Sequence, residues 1–505
     1  MGSHNLLHLR DDICFDRYGR YGPYGLGYSI EEGGTGEGMS HRLDPRVADV
    51  WKKTGLIDYR DIDWGEAQHR CYESNQQHFV AGNGTIESRK KKRQAVVIRT
   101  YTGFFWTQYA KLNIRALISE TALKSGGEYA VHLLLHVKDD DIPIWADAVA
   151  RQSVLDEHVP KEFHSICTLW SEAQMRLYYP GDFGVSVENP SDGDIHSVHR
   201  SAHMPLQHFA VHHPEYAHFW NWELDIRYIG SYYELFSKLG DWTARQPRTG
   251  AWERSARYYI PALHGSWEAF TENIQRNLRT SGRQPIMGPI EFDREEQVNC
   301  VMEEYLAESC KGDANVSLCG VDEPADLITL NPLFDVEDSG WVFSKDITGY
   351  DVRYSLPPRR STLVTASRLS WRLLDTMHQE TWKMHHSMFT EMFPQTVALH
   401  YGLKAVFAPH PVYLERSWPL ETVDKVFNGG KDHTAGGPGS PFSFANEHNF
   451  KGTTWYYHAE FAGRLWRRWL SERKEGDVED EKHADTEGQS RLCLRSMLFH
   501  PIKWE

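Results

Sequence analysis

Apolar and polar positions alternate along residues 94–137 in a way that predicts a strand, a helix and a second strand. Ala95–Ile98 is a short apolar run bounded by charged residues, and Tyr129–Val137 is a longer and nearly unbroken apolar run. Runs of this kind are typical of strands that are covered on both faces of a sheet. Between them, apolar residues recur every three or four positions from Ala110 to Thr121, which predicts a helix.

The same alternation of helix and strand continues to residue 222. The pattern predicts helices over Ile144–Val154 and Met204–His212 and strands over Ile166–Trp170 and Ala217–Trp222. Strands and helices that alternate along a chain build a parallel sheet with helices on both faces. The sequence therefore predicts an α/β fold with a mostly parallel, Rossmann-like sheet flanked by helices.

Regular structure is also predicted beyond this alternating region, although the elements are more widely spaced. Several of them are bounded by proline, glycine or charged residues. The predicted elements are a helix over Glu234–Leu239, a strand over Arg257–Ala262, regular segments over Ala325–Leu330 and Thr362–Thr365, an amphipathic helix ending at His378, a helix over Pro394–His400 and a strand over Lys404–Phe407.

These patterns divide the chain into three segments. Residues 1–93 are polar and irregular. We predict that they form an arm that packs on the hydrophobic core of the rest of the chain and is not an independent domain. Residues 94–425 form the predicted core domain, with a surface insertion over about 280–322. Residues 426–505 form a loop-rich extension that packs on this domain, and its acidic stretch 472–490 is predicted to be disordered.

Composition narrows the classes of protein and partner. Hydrophobic residues make up 40% of the 505 residues, which is enough for a large core. The net charge of −15 argues against nucleic acid as a partner, because binding to phosphates needs a basic surface. The basic run Lys90–Arg93 directly precedes an apolar strand and is interpreted as a solvated flank. No apolar stretch reaches 18 residues, so no membrane-spanning helix is predicted.

The seven cysteines indicate disulfides more readily than a metal site. Their spacing is neither that of a disulfide scaffold nor that of a zinc site. We predict one disulfide among Cys300, Cys310 and Cys319, and a second between Cys14 and Cys71.

Two sequons indicate the lumen of the secretory pathway. The tripeptides that begin at Asn83 and Asn315 are acceptor motifs for N-glycosylation, which fits a glycoprotein. The first residues, Met1–His4, have the composition of a leader added for expression. We therefore expect that a native N-terminal membrane anchor or signal was removed.

Two carboxylates follow the fourth predicted strand. Side chains two positions apart on a strand face the same way, so Glu223 and Asp225 are predicted to lie side by side. In open α/β sheets, ligands bind at the carboxyl ends of strands. Paired carboxylates offer the oxygen ligands that Mn²⁺ or Mg²⁺ prefers, and such an ion bridges a diphosphate. The alternative is structural: Glu223 caps a turn and Asp225 pairs with Arg227.

The sequence Glu223-Leu224-Asp225 resembles the Asp-x-Asp-type motif of GT-A glycosyltransferases, and it is similar to the Glu-Pro-Asp version of fungal Golgi mannosyltransferases. It departs from the common motif in its first acid. The resemblance implies a GT-A-like fold and a metal-dependent transferase in the Golgi lumen. Such an enzyme moves a sugar from a UDP- or GDP-linked donor to a glycan or glycoprotein acceptor.

The same resemblance indicates which residues contact the donor. In GT-A enzymes, residues at the end of the first strand contact the nucleotide. The corresponding residues here are Arg99, Thr100 and Tyr101. The planar guanidinium of Arg99 suits a base or a phosphate, although a structural ion pair is an equal alternative. Asp139 and Asp140, after the second strand, are candidates for the nucleoside, with solvated loop acids as the alternative. Lys503 is a candidate for the diphosphate.

Glu391 is the candidate catalytic base. It precedes a predicted helix, and inverting GT-A enzymes place an acid comparably, where a carboxylate takes the proton of the acceptor hydroxyl. The alternative is an acid that the helix dipole favours, in which case a retaining mechanism is more attractive. Some GT-A enzymes complete their metal shell with a late histidine. His410 is our candidate for it, with His448 and His500 as alternatives.

Over a longer span, from about Arg93 to Trp466, the chain looks like an uncharacterised fungal family. Its members often carry the label of major-facilitator transporters, which conflicts with the lack of a predicted membrane span. The resemblance implies a fungal source but supplies no substrate. The matching stretches are Ala95–Thr100, Trp220–Tyr228, Asp326–Pro332, Pro409–Tyr413 and Glu447–Phe450.

Two other classes of function stay open. A carbohydrate-active hydrolase would use a carboxylate pair such as Glu223 and Glu391 and would need no nucleotide. A non-catalytic carbohydrate-binding protein is suggested by the 18 Trp and 24 Tyr, because aromatic rings stack on the apolar faces of sugars. Nucleotide binding separates the transferase from both.

Overall fold

The computed structural model of the protein describes residues 1–41, 45–52, 54–80, 90–290, 292, 310, 318–446, 451–472 and 492–505. Among these residues, every helix is too short or too polar to cross a lipid bilayer. Several predictions lie outside the described residues: the sequons at Asn83 and Asn315, the roles of Cys300 and His448, most of the predicted insertion and most of the acidic stretch after residue 472.

Strands and helices alternate through much of the described chain. The strands are β1 (Arg93–Tyr101), β2 (Tyr129–His136), β3 (Cys167–Trp170), β4 (Tyr216–Glu223), β5 (Arg227–Ile229), β6 (Leu327–Thr329), β7 (Phe334–Asp335), β8 (Ile347–Thr348), β9 (Arg360–Ser361), β10 (Ser367–Ser370), β11 (Ser387–Met388), β12 (Ala405–Phe407) and β13 (Met497–Phe499). The α-helices are α1 (Arg17–Tyr21), α2 (Pro45–Ala48), α3 (Trp64–Glu73), α4 (Gln108–Leu117), α5 (Ala148–His158), α6 (Glu172–Tyr178), α7 (Val198–Ser201), α8 (His203–His212), α9 (Tyr232–Ala244), α10 (Ala251–Ser255), α11 (Pro261–His264), α12 (Trp267–Ser281), α13 (Trp371–Met384), α14 (Phe393–His400), α15 (Leu420–Phe427) and α16 (Glu460–Leu470).

Seven of these strands form one central sheet in the order β3-β2-β1-β4-β10-β6-β12. The strands β1 to β4 are mutually parallel, and β12 is parallel to β6. The strand β10 is antiparallel to both of its neighbours. The predicted α/β architecture with a mainly parallel sheet flanked by helices is therefore confirmed.

The apolar runs of β1 and β2 form strands because each face of the sheet is covered by a core. In β1, Ala95 and Val97 belong to one hydrophobic cluster, and Val96 and Ile98 belong to the other. Successive side chains of a strand point to opposite faces, so an unbroken apolar run fills both cores. The helix predicted after β1 is α4, and its chain continues as a π-helix over Ile118–Leu123.

Two sequence predictions about local structure are wrong. Residues 257–262 do not form a strand: Pro261 begins the short helix α11, and the backbone N–H of Tyr258 donates to the side chain of Asn428 rather than to a neighbouring strand. Proline suits the first turn of a helix because its missing N–H has no partner there. Thr362–Thr365 is the segment between β9 and β10, and β10 begins two residues later, at Ser367.

The disulfides also differ in part from the prediction. Cys310 bonds to Cys319, which is one of the three pairings that the prediction allowed among Cys300, Cys310 and Cys319. Cys14 bonds to Cys493, and Cys71 is free, so the predicted pairing of Cys14 with Cys71 is wrong. The two partners of the observed bond are 479 residues apart in sequence, so no local spacing indicates it.

The N-terminal arm is packed on the rest of the molecule. The guanidinium of Arg20 pairs with the buried carboxylate of Glu120 at 2.6 Å. The first residues also belong to the fold, because the amide of Gly2 donates to Tyr259 O and the terminal amine of Met1 donates to Val412 O. The three segment boundaries predicted from the sequence stay a prediction.

The order of the sheet positions a ligand crevice. From β1 the chain proceeds to β2 and β3 on one side, and it then returns to place β4 on the other side of β1. A crevice forms at the carboxyl ends of the strands where the order reverses in this way. In this protein that point lies between the carboxyl ends of β1 and β4. The residues that end these two strands are therefore the first candidates for a functional site.

Candidate functional site

Glu223 and Asp225 stand at the carboxyl end of β4. Glu223 is the last residue of the strand, and Asp225 lies in the turn that leads to β5. Both side chains are largely buried, with exposed fractions of 23% for Glu223 and 14% for Asp225. Both carboxylates converge on one histidine and so face a common point, and the sequence analysis expected them to lie side by side.

That histidine is His500, which β13 brings to the site from the other end of the chain. The strand β13 pairs antiparallel with β5, and Phe499 lies opposite Arg227. The Nε2 atom of His500 lies 2.9 Å from Glu223 Oε2 and 3.5 Å from Asp225 Oδ1. The Nδ1 atom of the same ring donates to the carbonyl oxygen of Tyr456 at 2.6 Å. This second hydrogen bond fixes the ring so that Nε2 points at the two carboxylates.

Arg99 and Thr365 complete the first ring of contacts around Glu223. Arg99 is the β1 residue opposite Glu223 in the parallel pairing, and its Nη2 atom lies 2.7 Å from Glu223 Oε1. The Thr365 hydroxyl donates to the same oxygen at 2.5 Å and accepts a hydrogen bond from Arg99. Ser367 pairs with Asn221 across the antiparallel strands, so Thr365 arrives two positions further on, beside Glu223.

The electrostatics of this cluster keep its carboxylates ionised. Burial by itself raises the pKa of Glu223, but the hydrogen bond from His500 and the charge of Arg99 lower this pKa to about 2. The pKa of Asp225 is also lowered: burial opposes the shift, whereas His500 and Lys503 favour it. Burial by itself lowers the pKa of His500, but Asp225 and Glu223 raise it to about 10. Without a bound cation, the imidazolium is thus the counter-ion of the two acids.

The cluster contains residue types that could hold a divalent cation. One ligand atom each from Glu223, Asp225 and His500 lies within 4.8 Å of the others. Two carboxylates and one imidazole, whose second nitrogen is bound to a backbone carbonyl, are a donor set typical of metal centres. A cation at this point would take the place of the Nε2 proton.

The predicted donor-binding residues lie along the same edge of the sheet. Lys503 donates to Asp225 Oδ2 and is 64% exposed. Thr100 is buried, and its hydroxyl has no hydrogen-bond partner among the described residues. Tyr101 is 43% exposed, and the Lys138 ammonium lies 4.1 Å from its ring centre. Asp139 is exposed, and its carboxylate accepts the amide of Asp141, so it caps a turn.

Glu391 lies beside the cluster, on the side of β10. Its Oε1 atom accepts the amide of Val364 at 2.9 Å, and its backbone carbonyl accepts from the Ser361 hydroxyl at 2.7 Å. Burial, with a contribution from the charge of Glu223, raises the pKa of Glu391 to about 7. Glu391 and Thr365 line a common cavity of about 20 Å³, which has room for roughly one water molecule or one hydroxyl group.

His410 is the predicted metal ligand that the structure does not bring to the cluster. Its Nε2 atom hydrogen-bonds to Leu330 O at 3.1 Å. The ring of Trp455 contacts both histidines, with centroid distances of 5.2 Å to His410 and 5.4 Å to His500. His500, named in the sequence analysis as an alternative, is the histidine in the cluster.

Sequence reasoning missed Thr365 as a site residue. Thr365 belongs to the hydroxyl-rich segment that was predicted as a regular element, but no motif marks it, and 142 residues separate it from Glu223. The strand that begins two residues later, β10, contains only one apolar residue, Leu369, so the hydrophobic pattern gives no signal for Thr365 either.

Comparison with known proteins gives a family but no characterised relative. A family model described as a protein of unknown function (DUF3405) matches residues 14–504, which is nearly the whole chain. No curated protein and no solved structure matches the chain. The predicted relationship to an uncharacterised family is confirmed, whereas the resemblance to GT-A enzymes stays a prediction.

Proposed function

The chain belongs to the DUF3405 family, and we propose that it is a metal-dependent glycosyltransferase of GT-A type. It would move a sugar from a nucleotide-diphosphate donor to a glycan or glycoprotein acceptor. The observation that carries this proposal is the convergence of Glu223, Asp225 and His500 at the carboxyl ends of β1 and β4. Ligands of open α/β sheets bind at this kind of position.

The metal ligands in this proposal are Glu223, Asp225 and His500, and the ion is Mn²⁺ or Mg²⁺. Such an ion neutralises a diphosphate and stabilises the charge of the departing nucleotide. Lys503 is suited to the same role, because its ammonium lies beside Asp225 and is otherwise exposed to solvent. Arg99 already pairs with Glu223, and its guanidinium is suited to hold both this carboxylate and a donor phosphate.

The general base in this proposal is Glu391. A base works best when its pKa lies near the working pH, and burial brings the pKa of Glu391 to about 7. The cavity that Glu391 shares with Thr365 is the size of a single hydroxyl group. We therefore assign Glu391 the proton of the acceptor hydroxyl that attacks the sugar.

The compartment that fits this function is the lumen of the secretory pathway, and the proposed organelle is the Golgi. Disulfides form and persist in oxidising compartments, and Cys14–Cys493 and Cys310–Cys319 are both bonded. In the proposed reaction, both the nucleotide-sugar donor and the glycan or glycoprotein acceptor are present in that lumen.

A nucleotide screen tests the proposal. We expect UDP or GDP to raise the thermal unfolding temperature in the presence of Mn²⁺, because a ligand that binds only the folded state stabilises it. Asp225→Ala should remove this shift and abolish donor turnover while the far-ultraviolet circular dichroism spectrum is unchanged. The matched control is Glu188→Gln, which removes an exposed carboxylate that pairs with Lys345.

Two results would count against the transferase. If neither nucleotide shifts the unfolding of the wild type with Mn²⁺ or Mg²⁺, a hydrolase or a carbohydrate-binding protein becomes the better proposal. If Asp225→Ala retains turnover of a nucleotide sugar, the metal cluster is not the catalytic centre.

A further inference from the structure

A pair of histidines lies outside the acidic cluster, toward the end of α8. His208 and His212 are four positions apart, and side chains at this spacing lie above one another on one face of a helix. Their ring centroids are 4.4 Å apart, with an angle of 37° between the ring planes. His208 is half-buried and His212 is exposed, so solvent reaches this face of the helix.

The hydrogen bonds of His212 leave one ring nitrogen available to a ligand. Its Nδ1 atom lies 2.8 Å from the carbonyl oxygen of His208. A carbonyl oxygen only accepts, so Nδ1 carries the hydrogen, and Nε2 of the neutral ring has a free lone pair. Metal-binding histidines are commonly oriented by such a bond from their second nitrogen to a backbone carbonyl.

The ring of His208 is available in the same way. In the described part of the chain its nitrogens make no hydrogen bond, and neither of them is fully buried. Burial, with contributions from the charges of His212 and His378, lowers the pKa of His208 to about 4. The ring is therefore neutral near pH 7, and the neutral imidazole is the form that binds a metal.

The donor atoms decide which ion suits this pair. Imidazole nitrogens suit Zn²⁺, Cu²⁺ and Ni²⁺, whereas Mg²⁺ and Mn²⁺ prefer oxygen ligands. Two histidines four residues apart on a helix face are a known arrangement for binding zinc. His212 is also the last residue of α8, and the partial negative charge of a helix C-terminus favours a cation.

We propose that His208 and His212 bind a Zn²⁺ ion on the surface of α8. Among the described residues, no third histidine, cysteine or carboxylate forms a cluster with this pair within 4.8 Å. Water therefore occupies the other coordination positions of the ion. Its preference for nitrogen ligands distinguishes this site from the cluster of Glu223, Asp225 and His500.

The ion would hold together two successive turns of a helix that borders the proposed catalytic centre. The first turns of α8 contribute His203 and Leu206 to the small cavity that Glu391 also lines. Zinc binding at the other end of α8 needs neither a nucleotide nor the acidic cluster. The proposal is therefore independent of the transferase function.

Calorimetric titration of metal-free protein with Zn²⁺ tests the proposal. All proteins in this experiment carry Asp225→Ala, which keeps the acidic cluster from contributing. We expect His208→Gln and His212→Gln each to weaken Zn²⁺ binding ten-fold or more, because each removes one of two ligands. The matched control is His69→Gln, which removes an exposed helical histidine that pairs with Glu73 and should change the affinity less than two-fold.

A measurement on the wild type covers the case in which a variant fails to fold. Diethyl pyrocarbonate modifies accessible imidazoles, and mass spectrometry of peptides locates the modified residues. Zn²⁺ should slow the modification of His208 and His212 and leave that of His69 unchanged, whereas Mg²⁺ should protect none of them. Any of three results overturns the proposal: Zn²⁺ fails to protect the pair, Mg²⁺ protects it equally, or both variants bind Zn²⁺ as tightly as their parent.

Discussion

At the scale of single residues, the centre of the molecule is one imidazole between two carboxylates. His500 has one nitrogen bound to a backbone carbonyl and the other facing Glu223 and Asp225. A proton on that nitrogen and a divalent cation are alternative ways to neutralise the same acids. A purely structural network of ion pairs would have the same geometry. Metal affinity is the property that distinguishes a metal site from such a network.

Replacing each of two buried histidines tests which of them binds the metal. We expect His500→Gln to weaken Mn²⁺ binding by about 10–100-fold, because it removes a ligand that a second hydrogen bond orients. His410→Gln should leave Mn²⁺ affinity within two-fold of the wild type, since this ring is bonded to Leu330 O outside the cluster. Calorimetric titration of folded protein measures both affinities. Equal losses in the two variants would contradict the assignment of His500.

Glu391→Gln should separate activity from stability. The variant keeps the acceptor atom for the Val364 amide but has no carboxylate, so we expect loss of transfer with donor binding intact. The folded-state pKa of about 7 lies above the ordinary 4.5 because burial and the charge of Glu223 raise it by more than the Val364 amide, Arg99 and His500 lower it. Between these pH values the folded protein holds a proton that the unfolded chain has released, so wild-type stability falls as pH rises from 4.5 to 7.

The Glu391→Gln variant has no carboxyl group at this position, so it lacks this loss of stability with rising pH. Its free energy of unfolding should therefore exceed that of the wild type by up to about 3 kcal/mol at pH 8 and match it near pH 4.5. Thermal unfolding of both proteins at the two pH values measures the difference. A variant that is less stable than the wild type at pH 8 would show that the carboxylate is not held in an unfavourable environment.

The sequence predicts part of this site and not the rest, for reasons of distance along the chain. Glu223 and Asp225 were found because they follow a visible apolar run at alternate positions, although the strand ends at Glu223 and Asp225 lies in the turn after it. His500 and Thr365 come to them through strand pairings that no local pattern encodes, across 277 and 142 residues. For the same reason the sequence analysis preferred His410, which the structure places outside the cluster, to His500, which lies in it.

At the scale of elements, the alternating strands β1 to β4 form the rigid base of the site. The strand β4 carries two tryptophans, Trp220 and Trp222, that are almost fully buried on one face of the sheet. The ring of Trp220 stacks on Phe236 of α9, with a centroid distance of 4.2 Å. The position of Glu223 thus depends on the packing of its own strand.

Trp220→Ala should lower the free energy of unfolding by about 3–5 kcal/mol, because it leaves a large cavity under β4. Phe105→Ala is the control, since Phe105 is 82% exposed and its removal should change stability by less than about 0.5 kcal/mol. Chemical denaturation monitored by circular dichroism measures both values. A loss below about 1 kcal/mol for Trp220→Ala would show that the strand is held by other contacts.

Strands that are marked by an apolar run were predictable, whereas the antiparallel direction of β10 was not. Each of the strands β1 to β4 was predicted to within a few residues, because an apolar run that serves two cores is a strong signal. Residues 257–262 include an apolar run, but they also contain Pro261, which starts the helix α11. The reversal of β10 between β4 and β6 is a property of the sheet that its four residues do not show.

At the scale of the whole molecule, the two ends of the chain are joined. Cys14 and Cys493 form a disulfide, and the segment that follows Cys493 supplies His500 and Lys503 to the site. The covalent link therefore restrains the part of the chain that completes the cluster. The site depends on a bond that lies outside it.

Removing this link should affect both stability and the site. For Cys14→Ser with Cys493→Ser, we expect the free energy of unfolding to fall by about 2–5 kcal/mol and Mn²⁺ affinity to fall with it. Cys71→Ser, which removes a free thiol, is the control. Thermal unfolding and metal titration measure the two effects. Unchanged values for the double variant would show that the pairing of β13 with β5 suffices to hold the tail.

The pairing of β13 with β5 also has a consequence during synthesis of the protein on the ribosome. His500 leaves the ribosome 275 residues after Asp225, which at about 5–20 residues per second is roughly 15–55 s later. During that interval the two carboxylates lack both their imidazole and the strand that delivers it. A nascent or prematurely terminated chain thus carries the two acids without their imidazole, and the cluster is complete only in a chain translated through residue 500.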